Sequence, residues 1–162
     1  MRLIFAALPV FSLVLWAQPA SLQSKVAVKV GNQPERTFTE TDFSNLQRHH
    51  VNLNEHGTAI EYEGVLLRDV LERAGAPLGK DLKGKALSTY ILATARDGYA
   101  VVYTLAEMDA AFTDSEIVLA DRAKGEPLND TQGPLRIVVP SDKKLARSLR
   151  MLQRLDVVQL RK

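Results

Sequence analysis

The sequence predicts one α+β domain in which mixed β-structure carries a few short helices. Three features of the pattern point there. Apolar and polar residues alternate with period two over Lys25–Val30 and again through Val51 and Leu53, as in half-buried strands. At Leu67, Val70, Leu71 and Ala74 the spacing becomes helical, and Gly75 and Pro77 then stop the helix. Two short, mainly apolar runs, 117–120 and 135–139, have the length and β-branching of buried strands. The pattern amounts to about seven or eight strands and three or four short helices. With 162 residues, 46% of them hydrophobic, the chain holds one ordinary core and no second one. We find no internal repeat, low-complexity tract or linker that would divide it.

The first twenty residues stand apart from that domain. Met1 and Arg2 form a minimal positive start, 3–16 is almost wholly apolar, and small residues follow at Ala17 and Ala20. This reads as a secretory signal peptide over 1–20, cleaved after Ala17 or Ala20, with the domain over 21–162. The apolar run is too short for the roughly 20 residues that span a bilayer, so contact with a membrane is expected only through an uncleaved leader. A periplasmic or secreted protein follows.

Along the domain, Lys25–Val30 ends at Gly31-Asn32, and Thr39 with Asp42 marks a helix start before Phe43 and Leu46. Val51 and Leu53 belong to a strand expected to pair with 59–62 across a turn at 55–58. Residues 87–95 and 99–105 are β-rich and meet at Asp97-Gly98, a strong hairpin signal. Thr104 and Glu107 then form a capping box for a helix reaching Phe112. Residues 125–134 read as a loop. Near the C-terminus, Leu145, Leu149 and Leu152 fit a short helix capped by Ser141, followed by a strand through Leu155 and Val157. That end is basic: Lys143, Lys144, Arg147, Arg150, Arg154, Arg161 and Lys162 face only Asp142 and Asp156. Such a segment suits an anion site, a docking face or a solvated surface.

Five segments together resemble the sulfite-oxidase-type molybdopterin-binding domain. They are Tyr62-Glu63-Gly64-Val65 running into Leu67-Arg68-Asp69-Val70-Leu71, Asp97-Gly98-Tyr99, Leu119-Ala120 ahead of Gly125-Glu126-Pro127-Leu128, the run from Gly133 to Pro140, and Ala146-Arg147-Ser148-Leu149-Arg150. The resemblance spans the domain and keeps the family's order. It implies a mixed-sheet, barrel-like α+β fold that, in the family's enzymes, holds molybdenum on a pterin dithiolene. It also implies that Arg147, Ser148 and Arg150 contact the pterin and its phosphate, a task suited to a planar guanidinium fork and a hydroxyl. Arg96, Asp97 and Tyr99, on the central hairpin, are further candidates for the same cleft, although Asp97-Gly98 is already explained as a turn.

The sequence departs from the family at one decisive place. Catalytic members carry a molybdenum-ligating cysteine ahead of the aromatic-Glu-Gly-Val segment, and this chain has no cysteine at all. Thiolate ligation of molybdenum, iron–sulfur clusters and thioether-bound haem are therefore excluded. All three histidines, His49, His50 and His56, fall in the shortened stretch. On an extended strand His50 and His56 lie roughly 20 Å apart, so no metal site is expected from them. Arg68 and Glu72 are spaced as an i,i+4 surface pair.

Other chemistries lack their motifs: no Gly-rich phosphate loop, His-Glu-x-x-His or Gly-x-Ser-x-Gly elbow occurs. Without a strongly basic surface, nucleic acid is not an expected partner. The leading reading is an exported domain that binds a pterin such as molybdopterin, or another small anion, without the family's standard chemistry. Its rivals are a ligand-free module docking on an exported redox or transport partner, and an active molybdenum oxidoreductase with an atypical ligand set.

Overall fold

The computed structural model describes residues 23–160; the signal peptide expected at 1–20 lies outside them. Two sheets share the core. The first is five-stranded and joins β2 (Arg36–Thr39), β1 (Lys25–Val30), β10 (Leu152–Gln159), β5 (Thr89–Ala95) and β6 (Ala100–Thr104) in that order. Its β1–β10 pair is parallel and the others are antiparallel. The second runs β3 (Arg48–Glu55), β4 (Thr58–Leu66), β7 (Val118–Ala123) and β8 (Glu126–Pro127), with β9 (Arg136–Val138) also paired to β7. The α-helices are α1 (Glu40–Ser44) and α2 (Leu67–Arg73). The fold is the expected α+β class, but the sheets stay separate and close no barrel.

Burial explains the strand patterns. Val26, Val28 and Val30 of β1, Ile91, Ala93 and Ala95 of β5, and Leu155 and Val157 of β10 point inward against α2 and one face of the second sheet. The other face of the second sheet carries a smaller core of Leu53, Tyr62, Leu66, Val118, Ala120 and Val138, covered by Leu128 and Leu145. Being covered on both faces, β7 and β9 lose the alternation that exposed faces impose, hence the apolar runs at 117–120 and 137–139.

Gly64 sits where β4 crosses β7 at a register shift. A Cβ there would lie 2.1 Å from the Leu119 carbonyl oxygen, so only glycine permits the approach. Gly75, with φ of 92°, makes the left-handed stop after α2 that the sequence suggests. Both expected capping boxes form, Thr39 with Asp42 and Thr104 with Glu107.

Three elements differ from expectation. Strand β2 is unforeseen, because only Phe38 of its four residues is buried. The helix expected from Thr104 to Phe112 shrinks to a 3-10 turn, Leu105–Met108. Asp109 ends it: its carboxylate accepts the Ala111 and Gly79 amides at 2.9 and 2.6 Å, offering the backbone a competing partner. The C-terminal helix is likewise one 3-10 turn, Leu145–Arg147. Leu149 and Leu152 enter the main core while Leu145 packs on the smaller one, so the three leucines share no helical face. Ser141 caps nothing; its hydroxyl lies 2.7 Å from that of Ser115. The final strand forms as expected.

Candidate functional site

The Asp97-Gly98 hairpin and the basic C-terminal turn meet face to face. Tyr99, 51% exposed, donates its hydroxyl to the Ala146 carbonyl at 3.0 Å, and buried Tyr103 donates to the Arg147 carbonyl. Burial pushes the Tyr103 phenol well above its usual range. The two tyrosines therefore satisfy carbonyls that a longer helix would have used.

Within this clasp Arg147 is already occupied. Its Nε and Nη2 donate to Asp142 at 2.8 and 2.9 Å, its Nη1 to Glu107 at 2.7 Å, and its guanidinium lies 5.4 Å from the Tyr103 ring centre. Hydrogen bonding to Asp142 and then to Glu107 raises its pKa. Burial alone would raise the Glu107 carboxyl, but the Thr104 amide and hydroxyl and Arg147 outweigh it and hold the group below its ordinary value. Ser148 is buried, and its Oγ accepts the Val139 amide at 3.1 Å. Two of the three expected anion contacts thus serve the scaffold.

Arg150 is different: it is exposed, and among the described residues no carboxylate pairs with it. The next residue, Met151, has φ of 51°. Its amide donates to Gln132 and its carbonyl accepts from the Arg96 amide, both at 2.9 Å. This left-handed turn sends Leu149 and Leu152 inward and leaves Arg150 outside. Arg96 flanks the same turn, its Nη2 donating to the Asp130 carbonyl at 3.0 Å and lying 3.4 Å from the Met151 sulfur. Asp97 accepts the Tyr99 amide at 3.0 Å, the turn role that the sequence already explained. The six candidates therefore divide into a scaffold (Tyr99, Arg147, Ser148 and Asp97) and two outward cations, Arg150 and Arg96.

The largest polar feature escaped the sequence reading. Arg136 is completely buried on β9, with its guanidinium carbon 4.8 Å from the Tyr62 ring centre. Its Nη1 donates to the Tyr62 hydroxyl and, at 3.2 Å, to Gln132; its Nη2 lies 2.8 Å from Glu55 but off hydrogen-bond alignment. Nε has no partner. The Tyr62 hydroxyl in turn donates to Glu55 at 2.8 Å, and burial, with that bond, pushes its pKa up to about 12. A signal existed for both ions: Arg136 interrupts a buried apolar run, and Glu55 shares the inward parity of Val51 and Leu53.

The histidines do not converge. His50 lies 3.3 Å from Glu61 on the outside of the hairpin, His49 lies 3.6 Å from Glu116, and His56 forms the hairpin turn with Gly57, both at positive φ. Arg68 pairs with Asp69 at 3.4 Å rather than with Glu72. Among the described residues, no three His, Cys, Asp or Glu side chains gather as a metal site, and no helix is long and apolar enough to cross a membrane.

A mixed sheet packed on an antiparallel one, short helices and a tyrosine-clasped Ala-Arg-Ser turn define a domain of the sulfite-oxidase type. The family model for the oxidoreductase molybdopterin binding domain matches residues 24–162, and the chain belongs to that family. Among solved structures it is similar to the sulfane dehydrogenase SoxCD from Paracoccus pantotrophus, with a TM-score of 0.60 and 18% identity. The match covers 83% of this chain and 38% of that one, so this chain spans well under half its length. No curated protein matches.

Membership implies molybdopterin as the family's cofactor. The donor set here does not fit a thiolate-bound molybdenum centre. The chain has no cysteine, and the stretch that lacks it is a tight hairpin whose Glu55 turns inward to Arg136. The expected phosphate contacts reduce to Arg150, since Arg147 carries two carboxylates of its own.

Proposed function

We propose that this chain is an exported family member that holds a small anionic ligand, a pterin or another, at Arg150 without metal redox chemistry. One observation carries the reading: Arg150 is an exposed cation next to the left-handed Met151 turn, with no acid paired to it among the described residues, while its neighbours Arg147 and Ser148 are spent on the scaffold. A guanidinium without a protein carboxylate keeps its donors for an oxyanion. The test is to purify the protein from its own host's periplasm, oxidise it and record pterin fluorescence together with molybdenum content. A pterin without stoichiometric molybdenum, lost in Arg150→Gln, is the expected result. About one molybdenum per chain would make it an oxidoreductase with an atypical ligand set.

A second reading, a ligand-free module docking on an exported redox or transport partner, draws on the outer face of the first sheet. There Val102, 52% exposed, is paired with half-buried Leu92. Neither pterin nor bound anion in the purified protein would favour it.

A further inference from the structure

We propose that a second cleft, on the outer side of the first sheet, binds a small organic oxyanion: a carboxylate or phosphate ester joined to an apolar body. The cleft has a volume of about 320 Å³ and opens between β1, the Gly133-Pro134 corner and the Met151 turn. Lys25 and Arg96 supply its charge, and no acidic residue lines it. Neither cation has a carboxylate partner among the described residues; Glu35, just ahead of β2, and Asp156 of β10 are both held by Arg154. Arg96 is anchored through Nη2 alone, which fixes its position and leaves Nε and Nη1 to donate. The remaining lining adds the Gln153 amide and an apolar wall that includes Ala27, Pro134 and Met151. Two cations over an apolar wall favour a ligand with one charged end, and the volume lies at the small end of ligand sites. This cleft excludes Arg150, Arg147 and Tyr99, so the inference stands apart from the Arg150 reading.

The test follows backbone amide shifts of the nitrogen-15-labelled protein during titration with phenyl phosphate, phenol and inorganic phosphate. Phenyl phosphate should shift Arg96, Gly133, Met151 and Gln153 and bind at least about tenfold more tightly than either fragment. Lys25→Gln and Arg96→Gln should each weaken it by about fivefold or more at unchanged melting temperature, while Arg150→Gln leaves it as it was. The inference is overturned if inorganic phosphate binds as well as the ester, if the shifts centre on Arg150 and Tyr99, or if phenyl phosphate moves none of the four amides.

Discussion

Arg136 and Arg147 lie eleven residues apart, and each faces carboxylates, yet they teach opposite lessons about where a charge is useful. Arg136 is sealed between the small core and Tyr62, has one acid, Glu55, and keeps an unpartnered Nε. Arg147 is 36% exposed at its side chain and has two acids in good alignment, Asp142 and Glu107. A buried pair costs more to desolvate than it returns unless every donor is met, so it tolerates no loss of a partner. A half-exposed pair is screened by water and counter-ions and contributes less. Geometry is better at Arg147, but dependence is greater at Arg136.

The comparison is tested most severely by deleting each arginine. Arg136→Met should lower stability in urea by about 3–5 kcal/mol, because Glu55 is left buried without its cation. Adding Glu55→Leu should recover much of that loss, since both ions then leave together. Arg147→Met should cost about 1 kcal/mol, shrinking further in high salt, as expected for a screened cluster. Equal costs for the two single variants would mean that burial does not separate these sites.

The pH dependence sharpens the same contrast. Glu107 has a folded pKa below its ordinary value, so its contribution is full at neutral pH and disappears as pH falls through that lowered value. Glu107→Gln should flatten that part of the acid limb in a thermal-melt series. Tyr62 behaves oppositely: raised from 10.0 to about 12, it contributes fully below pH 10 and loses that contribution as pH climbs toward 12. Tyr62→Phe should remove this alkaline loss, read by denaturant midpoints across that window. The smallest effect belongs to Arg150→Gln, which should change stability by less than about 0.5 kcal/mol while releasing the ligand proposed at that residue.

Much of the scaffold is legible in the sequence. Strand β1, the hairpin through His56-Gly57, α2 with its Gly75 stop and the final strand all follow from local period and turn chemistry. The barrel-like closure did not appear, and two helices shrank to 3-10 turns because side chains competed for their backbone: the adjacent Asp109 for one, the distant Tyr99 and Tyr103 hydroxyls for the other. The site was only partly legible. Residue type and motif order marked Arg147, Ser148, Arg150 and Tyr99 as neighbours, but could not show which of them were already engaged.

By itself, then, the sequence determined the class of fold, the family's order of motifs and the absence of any thiolate ligand, because periodicity, turn residues and composition are local properties. Only the tertiary structure decided which arginine is buried, which is neutralised and which remains free. An arginine's role depends on the acids that reach it, and those come from far along the chain: Glu55 to Arg136, Glu107 to Arg147, and none among the described residues to Arg150.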